Sequence, residues 1–213
     1  MRSAALRVVS LTGSGRVAEA EKQVNALANA SPRDLVAIVE RLAPFVESGD
    51  RHKRVPYVEL QLKAAELLLK HRDKLAKAEQ ETLDRRLGWV YLANGQTALA
   101  VERLSMLTGD APKNVSLQRE IAHLLEKHDD RECQSLARQC WRRVETATKP
   151  GSPEWLIARL GVIECNSKLG QHDVARKLFE NTRAIHQDLG GSETKARYMA
   201  ADQELKRRAE AAR

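Results

Sequence analysis

Two histidines and two cysteines lie close together near the middle of the chain, at His123, His128, Cys133 and Cys140. Such side chains hold zinc in proteins, and zinc modules commonly supply two of the ligands from a Cys-x-x-Cys turn. The sequence has no such turn, and Cys133 and Cys140 are separated by about two turns of a helix. This spacing favours buried helical cysteines over metal ligands, so we expect neither a metal nor another cofactor.

Motifs for acid–base or nucleophilic catalysis are absent from the sequence, which has no Gly-x-Ser-x-Gly and no His-Glu-x-x-His. Gly13 and Gly15 form a short glycine-rich stretch, but it lacks the Lys-Ser/Thr ending of a phosphate-binding loop and follows no predicted strand. A turn between two helices accounts for it. Asp129 and Asp130 are adjacent and so do not face one another. We therefore expect a protein that is not an enzyme.

The composition indicates which elements must position these residues. Leu contributes 27 residues and Ala 29, whereas Phe, Tyr and Trp together contribute eight. Leu and Ala are strong helix formers, while a sheet core needs the β-branched and aromatic residues that are sparse here. The sequence predicts an all-α chain and excludes sandwiches, barrels and Rossmann folds.

The net charge of +7 arises from 36 basic and 29 acidic residues that are interleaved along most of the chain. Interleaved signs are typical of solvated helix faces. Three short basic clusters remain, namely Arg51–Arg54, the group Arg138, Arg142 and Arg143, and Lys206–Arg208. Each is a solvated face or a phosphate-binding patch, and the second possibility keeps nucleic-acid binding as an alternative function.

One segment, residues 81–114, carries a repeat pattern of small and large residues. It has Leu87 and Gly88, then Tyr91, then a turn glycine, and finally a stop at Pro112; the intervening positions are Gly95, Ala100 and Leu104. Small residues permit close approach of two helices, and Pro112 cannot continue a helix. This pattern resembles a tetratricopeptide repeat (TPR), a helical hairpin of about 34 residues, although Asp84 stands where the family usually has Trp.

Weaker copies of the same pattern occupy much of the remaining chain. Residues 1–32 resemble a partial repeat that matches over 13–32, residues 33–80 an irregular hairpin, and residues 115–150 and 151–191 two further repeats. In the irregular hairpin we expect a basic loop leading to Pro56. The last segment, 192–213, is predicted to be a capping helix with an apolar stripe at Ala196, Met199, Ala200 and Leu205. We predict one all-α domain of antiparallel helical hairpins stacked as a TPR-like solenoid; a plain helical bundle is the alternative.

The resemblance implies a ligand surface on the first helix of each repeat. The matching positions of two repeats point to Arg85, Trp89, Arg119, His123 and Lys127 as partner-binding residues. Cationic side chains beside an aromatic anchor suit an acidic or carboxylate-bearing peptide, although Trp89 alternatively packs against a neighbouring repeat. The implied function is a non-catalytic protein–protein interaction scaffold, with a nucleic-acid-binding helical-repeat protein as the alternative.

The sequence also carries expectations about location and assembly. It has no apolar run long enough to span a membrane, and Arg7 interrupts the apolar opening before it can form a signal peptide. Three cysteines in a long chain favour a reducing, cytoplasmic location. The incomplete first repeat leaves Leu6, Val8 and Val24 without obvious cover. We expect a homodimer through this N-terminal edge or a chain that is part of a longer one.

Overall fold

A computed structural model describes residues 4–27, 32–48 and 51–211, without the side chains of residues 47, 48, 51–54 and 208–211. The regular secondary structure of these ranges is entirely helical, which confirms the predicted all-α class. A short 3-10 helix spans Arg72–Lys74, and the α-helices are α1 (Ala4–Gly13), α2 (Val17–Ala26), α3 (Pro32–Ser48), α4 (Arg51–Leu69), α5 (Lys77–Ala93), α6 (Thr97–Asp110), α7 (Val115–Leu125), α8 (Arg131–Ala147), α9 (Pro153–Lys168), α10 (His172–Ile185) and α11 (Ser192–Ala211).

The helices group into two compact units, Met1–Leu107 and Thr108–Arg213. In the first unit α1 packs on α2 and α3, and α4 packs on α3 and α5. In the second unit α8 lies between α7 and α9, and α11 packs on α9 and α10. Each unit is thus a stack of helical hairpins. A single domain over the whole chain stays a prediction.

One turn recurs three times along the chain, at Gly15, Gly95 and Gly170. Each glycine has a positive φ, of 76°, 73° and 79° respectively, which an L side chain rarely adopts. In each turn the N–H of the next residue donates to the carbonyl five residues back, at 2.8 to 2.9 Å. Five residues after each glycine stands an alanine with no exposed surface, at Ala20, Ala100 and Ala175. The repeat inferred from the sequence is therefore present as the same helix–turn–helix geometry.

The hairpin of α5 and α6 has the packing that its small residues predict. A Cβ added to Gly88 would lie 2.5 Å from Leu104 Cδ2, so only glycine allows this approach of the two helices. Asp84, in the place of the usual Trp, is 7% exposed. Arg72 Nη2 lies 2.7 Å from its Oδ2, and Arg103 Nη1 lies 4.0 Å from its Oδ1. Two arginines thus compensate for the buried carboxylate.

The predicted basic loop before Pro56 is wrong. Helix α4 begins at Arg51 and contains Pro56, as α3 contains Pro44. Proline lacks a backbone N–H. In the second turn of a helix this missing donor removes a single hydrogen bond to the preceding turn. The remaining residues of α4 can continue the helix because they pack on α3 and α5.

The predicted apolar stripe of α11 is also wrong in most of its positions. Ala196, Met199 and Ala200 are exposed, and only Leu205 of the predicted set is buried. Tyr198, which the stripe omitted, has no exposed surface. The buried face of α11 is therefore rotated relative to the predicted one.

The apolar residues of the first two helices find cover inside the first unit. Val8 and Val24 have no exposed surface and Leu11 is 9% exposed, whereas Leu6 is 42% exposed. Packing of α1 on α2 and α3 supplies this cover. Association of two copies through this edge stays a prediction.

In the described part of the chain, no helix combines the length and apolarity that crossing a bilayer requires.

Candidate functional site

The five predicted partner-binding residues fall on two helices. Arg85 and Trp89 lie one turn apart on α5 in the first unit, and both are half-buried. Arg119 and His123 lie one turn apart on α7 in the second unit, and Lys127 follows shortly after the helix ends. Arg119 and Lys127 are exposed, whereas His123 is half-buried. Each helix therefore presents its predicted residues on one face.

His123 is held by two neighbours within the second unit. Its Nδ1 lies 3.0 Å from Glu126 Oε1, and its ring packs edge-on against Trp141, with ring centroids 4.6 Å apart. Trp141 Nε1 donates to the other oxygen of Glu126, at 2.9 Å. These three side chains tie α7 to α8. The negative charge of Glu126 also offsets part of the positive charge that we predicted for the face of Arg119 and Lys127.

The C-terminal end of α7 is capped from two other helices. Lys168 Nζ on α9 donates to the backbone carbonyl of Glu126 at 2.5 Å, and Gln134 Nε2 on α8 donates to the same oxygen at 3.0 Å. Lys168 Nζ also lies 3.4 Å from Asp129 Oδ1. A cation at a helix C-terminus satisfies an unpaired carbonyl and opposes the helix dipole. The cap fixes the position of the residues that follow α7.

A cavity of about 430 Å³ opens beside this cap, and we call it the α11 groove. It runs between α9 and α11 and reaches the ends of α7 and α8. Its lining residues are Glu126, Lys127, Gln134, Ile163, Glu164, Ser167, Lys168, Ala200, Ala201, Glu204 and Leu205. Ile163, the two alanines and Leu205 form an apolar floor, and charged residues of both signs form the walls. A volume of this size accommodates a few side chains of a peptide.

Two carboxylates of the α11 groove have pKa values shifted in opposite directions. Burial raises the pKa of Glu126, but the hydrogen bonds from His123 and Trp141 outweigh burial and leave it below the usual value. Burial also raises the pKa of Glu164, and there the Arg197 guanidinium, 3.3 Å away, does not fully offset it. Both carboxylates thus have partners that hold them in place.

The arginine cluster on α8 does not form a joint surface. Arg138 Nη1 donates to Asn166 Oδ1 at 3.0 Å, and Arg143 Nη1 donates to the Thr108 carbonyl at 2.8 Å. Arg142 is exposed. Successive residues of a helix point about 100° apart, so neighbours in sequence reach different surroundings. Two of the three arginines therefore hold helices together.

The basic cluster near the C-terminus is largely paired within its own helix. Lys206 Nζ lies 2.7 Å from Asp202 Oδ2, and Arg207 Nε lies 2.8 Å from Glu204 Oε2. The Arg208 side chain lies outside the described residues. These pairs reduce the positive charge that Lys206 and Arg207 offer to a phosphate.

The three cysteines are buried and free of disulfides. Burial raises the pKa of the Cys133 thiol to about 12, that of Cys140 to about 11 and that of Cys165 to about 12. A thiol with a raised pKa is a poor nucleophile and a poor metal ligand at neutral pH. Their role is packing, as the sequence indicates for Cys133 and Cys140.

Sequence reasoning missed most of the α11 groove. Glu164 and Lys168 lie one turn apart on the same face of α9, which is a detectable signal, but no repeat position marks them. Ala200 and Leu205 on α11 were assigned to the apolar stripe of a capping helix and not to a binding surface, and Ala201 and Glu204 were not singled out. Of the five predicted partner-binding residues, Lys127 lines the groove, and His123 contacts Glu126, which also lines it.

Comparison with known proteins gives the fold. No family model matches the sequence, and no curated protein matches it. A crystal structure described as the nearly identical TPR-like repeats of a putative kinesin light chain from Podosopora anserina has a TM-score of 0.53 and 18% identity, covering 88% of this chain and 94% of that chain. A structure of a variant of that protein has a TM-score of 0.52 and 18% identity, covering 86% and 93%. The chain has the TPR-like helical-repeat fold.

Proposed function

We propose that this chain is a non-catalytic protein–protein interaction scaffold that binds a peptide segment of a partner in the α11 groove. The apolar floor between α9 and α11 carries this proposal, because a peptide lying on it covers the exposed Ala200 and the partly exposed Ala201 and so buries apolar surface. The charged walls then favour one orientation of the peptide over others. The TPR-like fold supports a binding role, since stacked helical hairpins provide extended surfaces for partners.

An acidic residue in the partner would suit the exposed cations beside the groove. Lys127 lines the groove, and Arg119 lies two turns before it along the face of α7. Glu126 faces His123, which leaves Arg119 and Lys127 as the cations of this face with exposed side chains. Arg85 and Trp89 are proposed as partner contacts of the first unit on the strength of their repeat positions.

Filling the groove should abolish peptide binding. Peptides would be selected from a displayed random library on the full chain and their affinities measured by fluorescence anisotropy. Ala200→Arg places a long cation in the α11 groove, and we expect the selected peptides to lose affinity by about tenfold or more, equivalent to about 1.4 kcal/mol. Ala200 is exposed, so the variant should retain its helicity by circular dichroism.

Ala196→Arg is the matched control, because Ala196 is an exposed alanine one turn earlier on α11 that does not line the groove. It should bind the peptides like the unmodified chain. Arg119→Glu tests the preference for acidic peptides separately. It should lower the affinity of acidic peptides more than that of neutral ones. Equal binding by Ala200→Arg and the unmodified chain would remove the groove assignment.

An exposed aromatic pair favours nucleic-acid binding as the second candidate. Phe45 on α3 stacks on Tyr57 on α4, with ring centroids 4.8 Å apart and planes 10° apart, and Phe45 is 41% exposed. Arg51–Arg54 opens the same helix as Tyr57, and its side chains lie outside the described residues. An exposed aromatic ring suits the stacking of a single-stranded base.

Binding to a single-stranded oligonucleotide should be weak and should fall steeply as salt rises. With few aromatic residues available, we expect no sequence preference and loss of binding by about 200 mM salt. Anisotropy of a labelled RNA oligonucleotide, with Phe45→Ala as the test variant, measures this. Tight binding that survives this salt and depends on Phe45 would make nucleic acid the first-ranked partner.

A further inference from the structure

A second cavity of about 460 Å³ lies on another part of the second unit, and we call it the α8–α10 cleft. It shares no lining residue with the α11 groove. Its walls come from α8 and α10, and α9 forms its base. The lining residues are Arg142, Glu145, Thr146, Thr148, Pro150, Trp155, Arg159, Val162 and Leu178.

Arg159 is fixed in this cleft by two different contacts. Its Nη2 lies 2.7 Å from Glu145 Oε1, and its guanidinium carbon lies 4.7 Å from the centroid of the Trp155 ring. The ring and the carboxylate together hold the planar cation in one orientation. Its Nε is buried and has no hydrogen-bond partner among the described residues. A buried donor of this kind costs free energy until an acceptor reaches it.

Arg142 supplies a second cation at the same cleft. It is exposed, and its charge acts on Glu145, where it opposes the rise in pKa that burial causes. Glu145 is the one carboxylate in the lining, and it is already engaged by Arg159. The lining therefore has two cations and one anion, and an added carboxylate would balance it.

The apolar part of the cleft lies beside these charges. Trp155, Val162 and Leu178 line it together with Pro150. Thr146 and Thr148 donate their hydroxyl protons to carbonyls of α8, so their oxygens remain acceptors. Trp155 and Val162 are already buried, so an apolar side chain of a ligand would cover Pro150 and Leu178, while the backbone N–H groups of the ligand would donate to the threonines.

We propose that the α8–α10 cleft binds an acidic side chain of a partner polypeptide between Arg142 and Arg159, with an adjacent apolar side chain against Pro150 and Leu178. A cationic side chain is disfavoured there, because Glu145 already pairs with Arg159 and the two arginines would repel it. The proposal is independent of peptide binding in the α11 groove.

The test uses the capped peptide N-acetyl-Leu-Asp-Leu-amide and the full chain labelled with nitrogen-15. The chain has three tryptophans, so its NMR spectrum reports three indole N–H groups, of which Trp155 alone lines the cleft. We expect the Trp155 signal to shift with a dissociation constant of roughly 1 mM, and the Trp89 and Trp141 signals to stay in place. Arg142→Gln should weaken this binding by about tenfold or more, since it removes a charge-assisted hydrogen bond.

Three controls make the result decisive. Arg119→Gln removes another exposed arginine, from α7, and Ala200→Arg fills the other groove; both should leave the Trp155 shift unchanged. The peptide with Asn in place of Asp should bind about tenfold more weakly. Equal binding of the Asn peptide, or equal binding by Arg142→Gln, overturns the proposal. Saturable binding of acetate with the affinity of the peptide also overturns it, because the cleft would then take small carboxylates rather than a polypeptide.

Discussion

Replacing Gly161 by alanine should destabilise the protein by about 1–3 kcal/mol, although alanine is the better helix former. Gly161 lies inside α9, and a Cβ added there would be 2.4 Å from Trp141 Nε1. Trp141 is 1% exposed, so its rigid ring has little room to move. Any movement would also disturb the 2.9 Å hydrogen bond from its Nε1 to Glu126. Urea denaturation followed by circular dichroism measures the change in the free energy of unfolding.

Gly109→Ala is the matched control and should have the opposite sign. Gly109 also lies in a helix, α6, but a Cβ added there meets nothing within 4 Å. Helix propensity then decides, and we expect a gain of about 0.5–1 kcal/mol. If both variants gained stability equally, close approach of α9 to α8 at Gly161 would be disproved.

Gly161 also shows how far the repeat pattern can be read from the sequence. The pattern identified Gly88, which lies seven residues before the turn glycine Gly95. Leu160 and Gly161 repeat the same Leu-Gly pair, but Gly161 lies nine residues before Gly170. Two additional residues in α9 therefore moved the pair out of the expected position. The turn glycines were found because a positive φ requires them, whereas a glycine needed for helix contact has no fixed spacing.

The candidate site was predictable to the extent that it depends on helix periodicity. Arg119 and His123 lie one turn apart on α7, and Lys127 follows shortly after the end of that helix. The sequence could not show that Glu126 would bind His123, because this contact depends on Trp141 from another helix. Partners that come from distant helices have no local signal in the sequence.

The misjudged face of α11 has a physical explanation in Tyr198. A tyrosine with a polar hydroxyl looks unsuited to a core position, but burial is favourable when the hydroxyl finds an acceptor. Tyr198 Oη donates to the carbonyl of Leu156 at 2.8 Å. Burial raises the pKa of this hydroxyl, so it remains a protonated donor. This hydrogen bond lets an aromatic ring replace the expected stripe of small apolar residues.

Tyr198→Ala should detach α11 from the rest of the second unit and abolish binding in the α11 groove. Tyr198 has no exposed surface, and the centroid of its ring lies 6.2 Å from the ring centroid of Phe179 on α10. Truncating a buried aromatic residue costs about 3–5 kcal/mol, and Tyr198 is a central part of the packing of α11 on α9 and α10. We expect amide hydrogen exchange over residues 192–211 to accelerate by orders of magnitude, while α7, α8 and α9 keep their protection.

Met199→Ala is the matched control, because it truncates an exposed side chain of α11 instead of a buried one. Met199 is the next residue on α11 and is 41% exposed, so its truncation should change stability by less than about 0.5 kcal/mol. Its hydrogen exchange and peptide affinity should match those of the unmodified chain.

If Tyr198→Ala kept α11 protected, Leu205 and the Arg197–Glu164 ion pair would be the contacts that hold the helix. If it released α11 but peptides still bound, the α11 groove would not be their site, because one of its two long walls would be gone.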